Sequence, residues 1–428
     1  MRLLSLFWRS LGLAFALFFY GAAYLAGRIP TLFIGNTERR RAAVARLRGR
    51  ILRAAMAGLG ATFIKLGQVM STRPDLLAPE TIDELRKLQD KLPPFPFEVA
   101  RAALEQELGV PVEQRFRELD ATPVAAASVA QVHRGVLTDG SEVAVKILRP
   151  DVRLKVERDA ALLLFGARIL AWIPAVRAAD PVGHLEHFVA GIAEQTDLRI
   201  EARHYERFRA NFTGVEGIGF PRVYAELCGE HVLVMEFVRG RRIHELGPGD
   251  HSALATRLRN AVLKMLFEDG FVHVDLHPGN FVVTDDGGVA IFDVGLAKLL
   301  PEEALVQFID WNKCLVMGTT DDYVRHLKQY FVQPDAQVDW SALTRDVDEF
   351  TLRFRGKAMA EIEAQDIVTD AFAIGRKYGL HPRTELALIM VAIVTAEGVG
   401  KMLEPDVDMM SKIAEFLMPI LVKRGLIG

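Results

Sequence analysis

Apolar and polar positions follow two periods along this chain, and each marks a kind of element. Glu142-Val-Ala-Val-Lys146-Ile-Leu148 is β-branched, alternates, and follows the turn Asp139-Gly-Ser141. It predicts a strand. His231 to Val238 is an apolar run closing on Arg239-Gly240, a second strand that is either an ordinary core strand or one leading into a hinge. After the turn Asp285-Asp-Gly-Gly288, the run Val289 to Phe292 is the second arm of a hairpin. Residues 302 to 400 carry helical stripes, and Leu386 to Val394 is expected in the core. Pro123 to Gly135 is alanine-rich at Ala125-Ala126-Ala127, which allows either a helix start or a stiff loop, since alanine lacks the positive-φ freedom of glycine.

The ends read differently. Leu11 to Ala26 is continuously apolar, about 16 residues or roughly 24 Å of helix, short of a ~30 Å hydrocarbon core. Extending it back to Leu3 makes it long enough if Arg9 snorkels or lies in the interface. The first 53 residues hold ten arginines against one acid, Glu38. Most lie beyond the apolar run, so the chain is expected at the inner, cytoplasmic membrane with its main body in the cytoplasm. An amphipathic helix lying on a membrane or on the protein is the alternative. Ile413 to Val422 is apolar but short and broken by Pro419.

With 428 residues, half of them apolar, the chain can bury two or three compact units. The net charge of -3 and the lack of arginine–aromatic stripes exclude a nucleic-acid partner. Two distant cysteines, Cys228 and Cys314, form no metal pattern and suit a reducing compartment.

The chemistry concentrates in His273-Val-Asp275-Leu-His277-Pro-Gly-Asn280 and Phe292-Asp293-Val-Gly295. Phosphoryl transfer needs a carboxylate to orient or deprotonate an acceptor and oxygen ligands to hold Mg²⁺ against phosphates. Asp275 is the candidate base, Asn280 and Asp293 the metal ligands. A zinc site at His273 and His277 lacks further soft ligands nearby. Lys146 is the candidate phosphate-binding lysine. The segment Ala125-Ala126-Ala127-Ser128-Val129 stands where a kinase carries glycines, and Glu236 and Val238 stand where a kinase backbone holds adenine.

These residues resemble the UbiB-type (aarF-domain) atypical kinases over roughly residues 55 to 405. The most specific element is Phe63-Ile-Lys65-Leu-Gly67-Gln68, followed by Ser71-Thr-Arg-Pro-Asp75 and Leu88 to Pro94. The resemblance implies that the Lys65–Gln68 segment lies on a helical element over the pocket and restricts protein substrates. It also implies that the alanine loop alters nucleotide preference, favouring ATPase or small-molecule kinase activity over protein phosphorylation. By the same resemblance Lys146 is the nucleotide lysine, Asp275 catalytic, and Asn280 and Asp293 hold metal. One segment departs: the family carries Glu-x-Asp before Glu-Ala, whereas this chain reads Glu194-Gln195-Thr196-Asp197 ahead of Glu201-Ala202. A one-residue offset turns a helical side chain by about 100°. That leaves Lys146's acidic partner open between Glu194 and another acid, and these acids also suit a solvated helix face.

The expected protein is α+β, with a bilobal protein-kinase-like fold, an N-terminal helical extension and a hydrophobic N-terminal helix. Residues 1–30 form the anchor, 31–115 the basic segment and extension, 116–240 the smaller lobe and 241–428 the helical lobe. It binds ATP or ADP with Mg²⁺. The resemblance points to ubiquinone or related isoprenoid-quinone biosynthesis, with membrane lipid, prenylated quinone intermediates and quinone-biosynthesis enzymes as partners; a homodimer is allowed. The rival readings are a small-molecule or protein kinase and a nucleotide-binding scaffold.

Overall fold

The computed structural model describes residues 2–71, 77–88, 93–173, 181–247, 249–274, 276–317, 319–332, 338–354, 363–404, 408–423 and 425. The chain divides into two compact units, Met1–Ala202 with Val223–Phe237, and Arg203–Arg222 with Val238–Gly428. Residues 203–222, expected within the smaller lobe, thus group with the second unit.

The first unit opens with five helices: α1 (Arg2–Thr31), α2 (Thr37–Leu59), α3 (Ala61–Ser71), α4 (Pro79–Leu85) and α5 (Phe97–Leu108). Along α1 the less exposed positions include Arg9, Leu13, Ala16, Tyr20, Ala23, Gly27 and Thr31, a stripe at helical spacing. This stripe packs α1 lengthwise on α2. The remaining faces leave Phe7, Trp8, Phe15, Leu17, Phe18 and Phe19 exposed. Arg9 pairs within the protein, as described below. Asn36 caps α2 by accepting the Arg39 N–H. α3 buries Phe63, Ile64 and Gly67, and a Cβ at Gly67 would fall 2.3 Å from Leu88 Cδ1 and 2.5 Å from Met56 Sδ. A larger residue there would make the ends of the Leu88 and Met56 side chains shift. Met56, Phe63, Leu85 and Leu88 form the local core, onto which Leu13, Leu66 and Leu163 pack.

An antiparallel sheet follows, with β1 (Phe116–Leu119), β2 (Ala125–Ala126), β3 (Ala130–Leu137), β4 (Glu142–Leu148) and, after the second unit's short β5 (Ile218–Gly219), β6 (Val232–Glu236). The order is β1-β3-β4-β6, with β2 on β3. The alanine segment is therefore a strand and turn, not a helix start, because β3 supplies a ladder that outweighs alanine's weak helix preference. Val143, Val145 and Ile147 of β4 share one core with Ala100 and Leu104 of α5. The two-residue period puts Lys146 on the opposite face. The unit also holds α6 (Val152–Leu170), α7 (Pro181–Glu194) and the first turn of α8 (Leu198–Asn211).

In the second unit α9 (Ser252–Lys264) runs into a π-turn, Met265–Asp269, ended by Gly270 at φ 58°. Short strands follow: β7 (Phe271–His273), β8 (Phe281–Val283), β9 (Val289–Ile291) and β10 (Ala297–Leu299), with β8 and β9 forming the expected hairpin. Then come α10 (Glu302–Met317), α11 (Thr320–Tyr330), β11 (Phe331–Val332), α12 (Trp340–Phe354), α13 (Ala364–Tyr378), β12 (His381–Pro382), α14 (Thr384–Leu403) and α15 (Met409–Lys423). α14 is apolar and long enough to cross a membrane by length and composition, but most of it is buried, including Leu386, Ile389 and Met390. It is a core helix against α9, α10 and α13. α15 buries Ile413 and Leu417 and packs on α9 and the π-turn.

Candidate active site

In the first unit, the Lys146 ammonium lies 2.8 Å from each carboxylate oxygen of Glu201. Their side chains are 13% and 6% exposed. The acid that meets Lys146 is thus Glu201, while Glu194 ends α7. The offset argument fails because Glu194 and Asp197 do not share a helix: residues 195–197 form a break between α7 and α8. Asp197 starts α8 anew, accepting the Arg199 N–H at 3.1 Å and holding its guanidinium at 2.8 Å. Glu201 then falls on the first turn of a separate helix. Breaking such a buried pair by removing one partner leaves an uncompensated charge, at a cost of about 3–5 kcal/mol.

The alanine segment is braced. Ala125 and Ala126 pair with Val132 and Gln131, and the Ala127 N–H donates to the Ala130 carbonyl at 2.8 Å. The turn is thus Ser128-Val129, and Ser128 is fully buried. Arg149, just past β4, donates its backbone N–H to Val129 O and its Nε–H to Ala127 O, both at 2.8 Å. Its guanidinium also reaches Pro93 O at 2.9 Å and lies over the Phe95 ring. Gln131 Oε1 accepts the Phe95 N–H at 3.0 Å while its amide nitrogen meets His133 Nε2 at 2.8 Å. His133 Nδ1 lies 2.7 Å from Asp120 O. With an amide donor on one nitrogen and a carbonyl on the other, His133 is the neutral Nδ1–H tautomer. Burial pushes its pKa below the usual histidine value. The roles of Gln131, His133 and Arg149 escaped the sequence reading; the one signal for the first two was their spacing by two along β3, and Arg149 had none.

Glu236 is exposed at the end of β6, paired with Val143, and the chain leaves the first unit after Phe237, so Val238 belongs to the second. Lys65 and Gln68 lie on α3, and Gln68 Oε1 is shielded from solvent with no hydrogen-bond partner among the described residues. Thr72 to Asp75 and Gln89 to Leu92 lie outside the described residues.

In the second unit, the β8–β9 hairpin joins Asn280 to Asp293: the Phe292 N–H donates to Asn280 O at 2.7 Å. Asn280 is buried, its own N–H donating to His277 O at 2.8 Å. Asp293 is exposed and adopts φ 50°, ψ 55°, a left-handed conformation shared among described non-glycine residues only with Asp151. Its backbone N–H donates to Tyr205 Oη at 2.9 Å, and Tyr205 is fully buried. Such a strained residue persists when its surroundings over-determine it, as functional sites do. Nothing in the sequence pointed to Tyr205. Asp275 lies outside the described residues.

The two motif histidines have turn-building contacts. His273 is buried with Nε2 3.2 Å from Phe292 O, and the Gly279 N–H donates to His277 Nδ1 at 3.0 Å. Among the described residues, the cluster of metal-type donors is instead Asp310, Cys314 and His326 on α10 and α11. Burial and nearby acids push the Cys314 thiol up to about 11, so without a metal it is protonated at neutral pH. His326 Nδ1 is 3.0 Å from Asp310 Oδ2, which reads as an internal brace.

The sequence profile of the ABC1 atypical kinase-like domain matches residues 87–326, and that of the UbiB helical domain matches residues 347–408. The chain is 33% identical over 386 residues to a protein of Aeromonas salmonicida named Probable protein kinase UbiB, covering 86% of this chain and 70% of that one. The chain belongs to the ABC1/UbiB family of atypical kinases. A family member of the same name from Tolumonas auensis is 33% identical over 390 residues, with the same coverage of 86% and 70%. The Rv3197 protein of Mycobacterium tuberculosis, solved with erythromycin, superposes with a TM-score of 0.53 at 22% identity, covering 82% of this chain and 90% of that one. That likeness supports the kinase-like fold, and the helical-domain match spans the end of α12 to α14 and a few residues beyond.

Proposed function

We propose that this protein is a Mg-nucleotide-dependent ATPase or small-molecule kinase that supports ubiquinone or related isoprenoid-quinone biosynthesis at the inner membrane, using ATP to handle a lipid intermediate. The observation that carries the nucleotide reading is the closed Lys146–Glu201 pair, which holds a cation ready for phosphate oxygens. Asn280 and Asp293 are oxygen donors at one end of a hairpin, the donor class that Mg²⁺ takes. When bound, the ion would supply charge neutralisation on the phosphates. Glu201 orients Lys146, the Tyr205 contact fixes the Asp293 backbone, and Asp275 would orient the acceptor. The quinone setting rests on the family, and the membrane setting on the exposed apolar faces of α1.

Catalysis of small-molecule rather than protein phosphorylation is favoured by the alanine turn. Its backbone is already engaged by β3 and Arg149, unlike a glycine loop with N–H groups free to close on phosphates. Purified full-length protein should hydrolyse ATP in a Mg-dependent manner, faster with anionic liposomes. Asp293→Asn should lose at least about a hundredfold in turnover. Tight nucleotide binding with no turnover under any condition would replace the enzyme by a scaffold.

A further inference from the structure

α6 changes character along its length. Its first half exposes Arg153, Lys155 and Glu157 beside Leu154. From Ala160 to Ile173 the one charged residue is Arg168, and here Phe165 is 64% exposed, Ile169 48%, Leu170 53%, Trp172 84% and Ile173 51%. Large apolar side chains clustered at a helix end are an unfinished interface rather than scattered surface hydrophobics.

Where this end sits within its unit suggests what covers it. α6 is pinned to α1 by a bidentate ion pair, Arg9 Nε to Asp159 Oδ1 and an Arg9 terminal nitrogen to Asp159 Oδ2, each 2.8 Å. The same nitrogen reaches Leu59 O at 2.8 Å, and the guanidinium lies over Phe63. One turn further along each helix, Leu13 and Leu163 pack on the same local core. The apolar end of α6 therefore continues from the anchor point that holds α1, whose outward faces are apolar as well. Near the far end of α1, a cavity of about 570 Å³ is lined by Arg28, Arg40, Arg41 and Arg48, with Glu38 and Glu80. None of these four arginines makes an ion pair among the described residues. This excess of positive charge matches an anionic lipid surface.

We propose that the α6 end, Phe165 to Ile173, is a second membrane contact, and that α1 and α6 dock together on an anionic bilayer with α1 lying along it. Because α1 packs on α2 along its length, lipid takes its outer faces while the Arg9 seam stays in the protein. Trp172 and Trp8 occupy the interfacial position that tryptophan favours. The proposal rests on the membrane reading above for α1.

The test uses full-length protein and phosphatidylethanolamine/phosphatidylglycerol vesicles with brominated acyl chains, which quench tryptophan on contact. Of the four tryptophans, Trp311 and Trp340 serve as internal references. Vesicles should quench the wild type, Trp172→Phe should remove part of that quenching and Trp8→Phe another part. The double variant Leu170→Ser/Ile173→Ser should weaken vesicle co-sedimentation by roughly tenfold. If quenching vanishes with Trp8→Phe and is untouched by Trp172→Phe, the α6 contact is wrong while the membrane reading of α1 stands. No quenching in the wild type overturns both. Quenching confined to Trp172 keeps α6 and removes α1. If instead the wild type self-associates without vesicles and the double variant is monomeric, the α6 end is a protein interface.

Discussion

Two buried ion pairs in the first unit use the same chemistry for different ends. Lys146 reaches Glu201 across 55 residues, and Arg9 reaches Asp159 across 150. Both carboxylate side chains are nearly sealed, at 6% and 5% exposure. Lys146 comes from a strand flanked by β3 and β6, and phosphate is its proposed ligand. Arg9 comes from a helix with apolar outer faces, and its guanidinium is already committed to a carboxylate, a carbonyl and a ring. The contrast teaches that a lone charge in an apolar stretch need not be a snorkelling residue. It can be the internal fastening of that stretch, with the lipid or partner taking the other faces.

The largest expected effect falls on the first pair. Glu201→Gln should keep the fold better than Glu201→Ala yet cut Mg-ATP turnover by roughly tenfold to a hundredfold, since Lys146 loses its orienting charge. Turnover unchanged in both would mean that Lys146 does not serve the nucleotide. On the other side, Arg9→Ala should leave that turnover near wild type without membranes while lowering stability in urea by about 3 kcal/mol, because Asp159 stays buried without its bidentate partner. Arg158, 3.7 Å from the same carboxylate, could recover part of this. A double-mutant cycle between Arg9 and Asp159 with no coupling would dissolve the comparison.

A smaller effect separates the two corners by pH. His133 braces the alanine turn, and burial depresses its folded pKa. Above about pH 6.5 both folded and unfolded chains hold it neutral. As pH falls from there toward the depressed folded value, the unfolded chain takes up a proton that the folded one refuses, and stability declines by at most about 1.4 kcal/mol per pH unit. Amide protection factors along β3, taken after correcting for the intrinsic slowing of exchange in acid, should therefore fall between about pH 6.5 and 5 more than those along α3. His133→Gln should flatten the difference; an equal pH response in wild type and variant would show that His133 is not its source.

Much of each candidate segment was readable from the sequence because its elements are local: in the first unit the alternation around Lys146, and in the second the Asp-Asp-Gly-Gly turn and Asp293 after an apolar strand. Lys146's partner was not, because it depended on a helix break at residues 195–197 that one-residue spacing arguments cannot see. Tyr205 and Arg149 were invisible for a related reason. Each acts through a backbone group, and a side chain that holds a carbonyl or an N–H leaves no complementary residue type to search for. Arg9 was seen without its partner, since Asp159 lies in another helix 150 residues along the chain.

That separation has a consequence in time. At a synthesis rate of roughly 5–20 residues per second, Asp159 emerges about 8–30 s after Arg9. During that interval the first helix of the protein exists with its fastening point unmade, so an apolar segment is on offer to whatever lies near the ribosome before the body that will claim its inner stripe has been translated. The order of synthesis therefore leaves the ion pair to close only after the outer faces of α1 have been exposed.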